Sequence, residues 1–92
     1  QEAFRIGLVN AVVPMRALMA TAEQWATEIL ECAPLAVQAA KQVVVETLDL
    51  PAPQAIRQIE DIPAVRRLRQ SQDYAEGPRA FAEKRKPVWQ GK

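Results

Sequence analysis

The run RALMATAEQWATEILECA, Arg16 to Ala33, decides the fold class of this chain. Leu18, Ala22, Trp25 and Ile29 recur at helical spacing, and Met19, Ala26, Leu30 and Ala33 widen the same stripe. Glu23, Gln24, Thr27, Glu28 and Glu31 fill the opposite side. The pattern predicts an amphipathic helix over 16–33. On its C-terminal side Pro34 fits the first turn of a second helix, where a missing N–H costs nothing. There Ala36, Ala39, Ala40, Val43, Val44 and Thr47 form one face, and Gln38, Lys41, Gln42 and Glu46 the other. The β-branched Val43-Val44-Val45 run lowers helix propensity and keeps a strand open as the weaker alternative.

Further along, Pro51 and Pro53 break the chain. A third amphipathic segment follows, with Ile56, Ile59 and Leu68 expected inward and Arg57, Glu60, Arg66, Arg67 and Arg69 outward. Pro63 must kink or split it, and Asp61 is placed to cap its second part. Ser71 and Asp73 offer caps for the last element, Asp73 and Glu76 having capping-box spacing. Because Pro78 lies deep in that element, a turn over 71–76 with a helix from about Gly77 to Arg85 is expected. Upstream, Gln1 to Ile6 reads as the end of a helix stopped by Gly7. Leu8 to Val13 reads as a strand-like or extended link closed by Pro14. The expected architecture is all-α, a small orthogonal bundle of four or five helices.

Composition narrows the chemistry. The chain has 92 residues and a net charge of +1, which conceals an acidic first half, −3 over residues 1–50, and a basic second half, +4 over 51–92. Lys84 to Lys92 carries four cations and no anion, a pattern suited to a phosphate-bearing ligand, nucleic acid or solvent. No histidine is present, so His-based triads are excluded. Cys32, the one cysteine, cannot form an intrachain disulfide or hold zinc alone, and its helical stripe predicts a small core residue. A reducing, cytoplasmic setting is expected, with no membrane span, signal peptide or metal. The three glycines form no phosphate-cradling loop, and Ser71, the only serine, has no base partner. Arg66-Arg67-x-Arg69 is a second basic run that phosphates of a nucleic acid could meet, although such a run on an outward helical face is usually only solvated.

Phe81 and Lys84 stand three apart, so on a helix they share a face. An aromatic ring beside an ammonium can stack on an adenine and pair with a phosphate. Pattern alone favours the plainer arrangement, with Phe81 in the core and Lys84 snorkelling past it.

The stretch from Glu76 to Gly91, EGPRAFAEKRKPVWQG, preceded by Ser71-x-Asp73, resembles the C-terminal signature of the enoyl-CoA hydratase/isomerase (crotonase) superfamily. Two further runs resemble the family in order. One is Glu2-Ala3-x-Arg5-x-Gly7-Leu8-Val9-Asn10-x-Val12-Val13-Pro14, the other Ala33-Pro34-Leu35-Ala36-Val37-Gln38-Ala39-Ala40-Lys41. The resemblance implies that the chain is the C-terminal helical region of an acyl-CoA hydratase or isomerase. Residues 1–14 would end a catalytic-core helix and link it onward, and residues 15–92 would form the helical domain. It implies an N-terminal core that holds the thioester oxygen on two backbone N–H groups and supplies two catalytic Glu carboxylates, none of them in this chain. The implied roles here are assembly, as a homotrimer or dimer of trimers, and closure over the substrate. Phe81 and Lys84 match positions near the nucleotide end of coenzyme A, and Lys41 a recurrent structural position. No cofactor is implied beyond the coenzyme A thioester of the substrate, and neither nucleic acid nor membrane is an implied partner. Pro78, where the family carries a large apolar residue, and Pro63 depart from the pattern. Beside this stand two other readings, a free-standing helical interaction module and a basic nucleic-acid-binding domain.

Overall fold

The computed structural model describes residues 1–92, and it is all-α, without strands. Six helices run in order: α1 Glu2–Arg5, α2 Leu18–Leu30, α3 Pro34–Thr47, α4 Ala52–Gln58, α5 Pro63–Gln70 and α6 Gln72–Ala82. Two 3-10 turns, Met15–Ala17 and Ile59–Asp61, lead into α2 and α5. The valine run of α3 is helical, not a strand. Residues 8–14 form a link without helix or strand, bent at Leu8 and Asn10.

Prolines mark the starts. Pro34 and Pro63 open α3 and α5, where the ring's fixed φ suits the first turn. Pro63 therefore splits the third predicted segment into α4 and α5. Asp61 does not cap α5; its carboxylate pairs with Arg66 at 2.5 Å. A neighbouring helix does part of that work, because the Ala64 N–H donates to Gln42 Oε1 of α3 at 3.2 Å. At the other end of the chain, α1 closes as predicted at Gly7, which has φ +75°. Its stop is a Schellman pair, Gly7 N–H to the Phe4 carbonyl at 3.1 Å and Leu8 N–H to the Ala3 carbonyl at 2.8 Å.

The core lies where α5 crosses α3. Ala39, Ile62, Ala64 and Val65 are buried, with Val43, Ile59 and Leu68 packed against them. Small alanines let the two backbones come close, and Ile62, 1% exposed, is the largest side chain fully enclosed. The inward faces differ from expectation in detail. Ile56 is exposed, and the buried face of α3 runs through Leu35 and Ala39, leaving Val44 outside.

The larger departure is α2. Its apolar stripe is real, yet the helix buries no residue: Leu18, Met19, Trp25, Ile29 and Leu30 are all exposed. Cys32, expected in the core, is exposed as well. The whole chain is correspondingly open. Its radius of gyration is 16.9 Å, against roughly 12 Å for a compact domain of this length. Its accessible surface is 7558 Å², against roughly 5,300 Å² for a folded monomer of this mass. About 2,200 Å² is thus uncovered beyond what a closed domain would show, and α2 and the link contribute many of its exposed apolar side chains. No helix is long and apolar enough to cross a membrane.

With so small a core, one residue carries much of it. Ile62→Ala should cost about 2–5 kcal/mol, and Ile62→Val about 0.5–1.5 kcal/mol. Urea denaturation followed by circular dichroism checks the ranking; equal midpoints for the two variants would show that α5 does not depend on this contact.

Candidate functional site

Sequence reading directs attention to the C-terminal stretch, and the structure shows how it is built. Ser71 caps α6: its hydroxyl accepts from the Tyr74 N–H at 3.2 Å and donates to the Leu68 carbonyl at 2.6 Å. The cap is thus Ser71 alone, and α6 begins at Gln72 rather than near Gly77. Pro78 is accommodated inside the helix, which forfeits the bond to the Tyr74 carbonyl and nevertheless continues.

Asp73 and Glu76, one turn apart on α6, have a different use from capping. They collect the backbone of the tail that doubles back along the helix. Asp73, 3% exposed, accepts the Gln90 N–H on Oδ1 at 2.7 Å and the Gly91 N–H on Oδ2 at 2.8 Å. Glu76 accepts the Val88 N–H on Oε1 at 2.9 Å. Glu76 also takes the Arg85 guanidinium on both oxygens, at 2.5 and 3.0 Å. The Lys92 carbonyl accepts the Gln72 N–H at 2.8 Å and completes the seam. Across it, the Trp89 ring lies against α6 at Gly77, 3.5 Å from where a Cβ would stand. Its indole N–H donates to the Glu31 carbonyl at 2.8 Å and ties the tail to the end of α2.

Charge follows geometry. The Arg85 fork, then the Val88 N–H, hold the Glu76 carboxyl down at about 2, from an ordinary 4.5. Arg85 is raised in turn, by Glu76 first and Glu83 second.

Helix α6 ends at Ala82, three residues short of the expected end. Its stop is a second Schellman pair, with the Lys84 N–H on the Phe81 carbonyl at 3.2 Å and the Arg85 N–H on the Ala80 carbonyl at 3.0 Å. The left-handed position of this motif usually takes glycine; here it is Lys84, φ +54°, the one non-glycine residue with positive φ. Phe81 and Lys84 therefore do not share a helical face. They are joined by the terminating turn. Phe81 is 87% exposed, which removes the reading of it as a core residue. Lys84 is exposed, and its ammonium makes neither an ion pair nor a hydrogen bond.

Other candidates fall away. No three metal-ligating side chains come together. Of the three arginines on α5, Arg66 is paired with Asp61 and Arg69 with Glu60, both at 2.5 Å. Asp73, Glu76 and Arg85 are the residues that sequence reasoning missed as a unit. The only signal for them was the three-residue spacing of the carboxylates.

The family model for enoyl-CoA hydratase/isomerase matches residues 1–92, the whole chain. The chain belongs to the enoyl-CoA hydratase/isomerase family. Among curated relatives it is 40% identical to a carnitinyl-CoA dehydratase of Citrobacter koseri and 39% identical to one of Salmonella typhi, each over 94 aligned positions. Both alignments cover 100% of this chain and 36% of the relative. Among solved structures, an enoyl-CoA hydratase/isomerase from Mycobacterium paratuberculosis superposes with a TM-score of 0.90 at 35% identity, over 100% of this chain and 36% of that one. An enoyl-CoA hydratase from Bacillus anthracis gives 0.87 at 34% identity, over 100% and 35%. The chain thus spans about a third of the length of the family members it matches.

The seam makes a pH prediction. A carboxyl with a depressed value stabilises the folded form fully above its ordinary 4.5 and loses that contribution as pH falls toward about 2. In a Trp25→Phe background, Trp89 emission should stay constant from pH 8 to 5 and shift to the red between 4.5 and 2. Arg85→Gln should move that transition upward toward 4.5. An unmoved transition would show that the Arg85–Glu76 pair does not hold the tail.

Proposed function

We propose that these residues serve as the C-terminal helical segment of a larger enzyme of this family, acting on acyl-CoA thioesters by hydration of a 2-enoyl-CoA or related enolate chemistry. In this reading residues 1–14 link from the catalytic core, and residues 15–92 help to assemble a homotrimer or dimer of trimers and close over the coenzyme. The observation that carries it is the uncovered apolar face of α2 and the link, in a chain matching about a third of its relatives' length. A free-standing module would be expected to fold as a monomer without so large an exposed apolar face. A nucleic-acid-binding reading loses its footing because two of the three arginines on α5 are already neutralised by carboxylates.

Within that segment Phe81 and Lys84 are assigned to the nucleotide end of coenzyme A. The polar residues Asp73, Glu76 and Arg85 around them are consumed in holding the tail, whereas these two present a free ring and a free ammonium. The ring offers a face for adenine and the ammonium a partner for a phosphate. The reacting carbons would lie far from both, so the contact would strengthen ground and transition states equally.

Two measurements test this. The isolated 92-residue chain should not hydrate crotonyl-CoA above the uncatalysed rate; turnover that survives repurification would overturn the assignment to a non-catalytic segment. In the full-length protein, Lys84→Ala should raise KM roughly 5- to 30-fold with kcat nearly unchanged, as expected for losing about 1–2 kcal/mol of uniform binding. The defect should shrink with a pantetheine thioester, which lacks the nucleotide phosphates. Loss of kcat instead would make Lys84 a structural residue.

A further inference from the structure

We propose that Glu76 is a positioning residue for the coenzyme site: through Arg85 it fixes the left-handed turn that presents Lys84. The proposal rests on the reading of Lys84 as a coenzyme A contact and deepens it. Lys84 is the single non-glycine residue in the left-handed region, a conformation that an L side chain does not hold unless its surroundings enforce it. The surroundings here are specific. The Arg85 Nε donates to Glu83 at 2.6 Å, on one side of Lys84, and its Nη1 to the Lys86 carbonyl at 3.1 Å, on the other. The same guanidinium reaches back nine residues to both oxygens of Glu76, whose side chain is 16% exposed. Glu76 in turn holds the Val88 N–H, so the chain leaving the turn is pinned to the same carboxylate. Glu83 and Arg85 are thus occupied by the clamp, and Lys84 between them is left with a free ammonium.

The sign of the expected effect separates positioning from simple electrostatics. Coenzyme A is an anion, so removing a nearby negative charge would by long-range attraction alone tighten binding. Positioning demands the opposite. In the full-length enzyme, Glu76→Gln should raise KM for crotonyl-CoA roughly 3- to 10-fold at unchanged kcat, while leaving KM for the crotonyl-pantetheine thioester unchanged. Because Glu76 acts through Lys84, Glu76→Gln should add nothing in a Lys84→Ala background. Glu76→Asp, which keeps the charge but shortens the reach, should reproduce the defect and serves if the Gln variant does not fold. A lowered KM, an equal rise with both thioesters, or multiplying effects in the double variant would each overturn the positioning role while leaving Lys84's own contact standing. If Lys84→Ala does not distinguish the two thioesters, the underlying reading of Lys84 fails, and this inference with it.

Discussion

Two carboxylates one turn apart on α6 organise the C-terminal third of this chain. A peptide tail with no regular structure of its own needs partners for its N–H groups wherever it leaves water. Asp73 and Glu76 supply them for Val88, Gln90 and Gly91, and each donor finds a charged acceptor, the stronger class of hydrogen bond. Burial of Asp73 is tolerable for the same reason: both its oxygens are engaged, and no buried side-chain polar atom in the structure lacks a partner. Once the tail is held, Trp89 can lie on α6 at Gly77 and reach the end of α2, and Arg85 can grip both sides of Lys84. The long family-like signature is in large part a description of this seam.

The signature divides into side chains engaged within the chain and side chains left free. Ser71, Asp73, Glu76, Gly77, Arg85 and Trp89 are spent within the chain, as cap, acceptors, contact surface and clamp. Phe81 and Lys84 are spent on nothing inside it. An exposed aromatic ring and an unpaired cation, joined by one helix-terminating turn, are the two groups on which the proposed coenzyme A contact draws. The energetic contrast is consistent with that division. The ion pairs of α5 sit at the surface and contribute little to stability. The Arg85–Glu76 fork is more enclosed, with Glu76 the less exposed partner.

The other half of the molecule is dominated by what it does not cover. The α3–α5 core is built from alanine, valine and isoleucine, small enough for close approach but too few to enclose a domain of this length. The stripe on α2 and the apolar link 8–13 remain outside it. Apolar surface left exposed on this scale is available for a partner to cover, and the relatives are about three times as long as this chain.

Sequence periodicity determined the helices. Arg16–Ala33, Pro34–Thr47 and the segments around Pro63 were legible because helix-forming residues, apolar spacing and N-terminal prolines agree locally. Gly7 was legible as a stop because glycine alone takes the left-handed position cheaply. Local pattern could not say which amphipathic stripes would find a partner. The α2 stripe has the right spacing and no cover, because burial depends on what lies across from a helix rather than on the helix. Nor could it find the seam. Asp73 to Gln90, Glu76 to Arg85 and Trp89 to Glu31 are pairings between residues 9 to 58 positions apart, with no periodicity to announce them. Asp73 and Glu76 therefore read as capping residues until the tail folded back onto them. The end of α6 was decided the same way. Continued helix over Glu83–Arg85 was locally acceptable; in the structure the chain instead turns at Lys84, φ +54°, where Arg85 reaches back nine residues to Glu76, a pairing that local pattern does not contain.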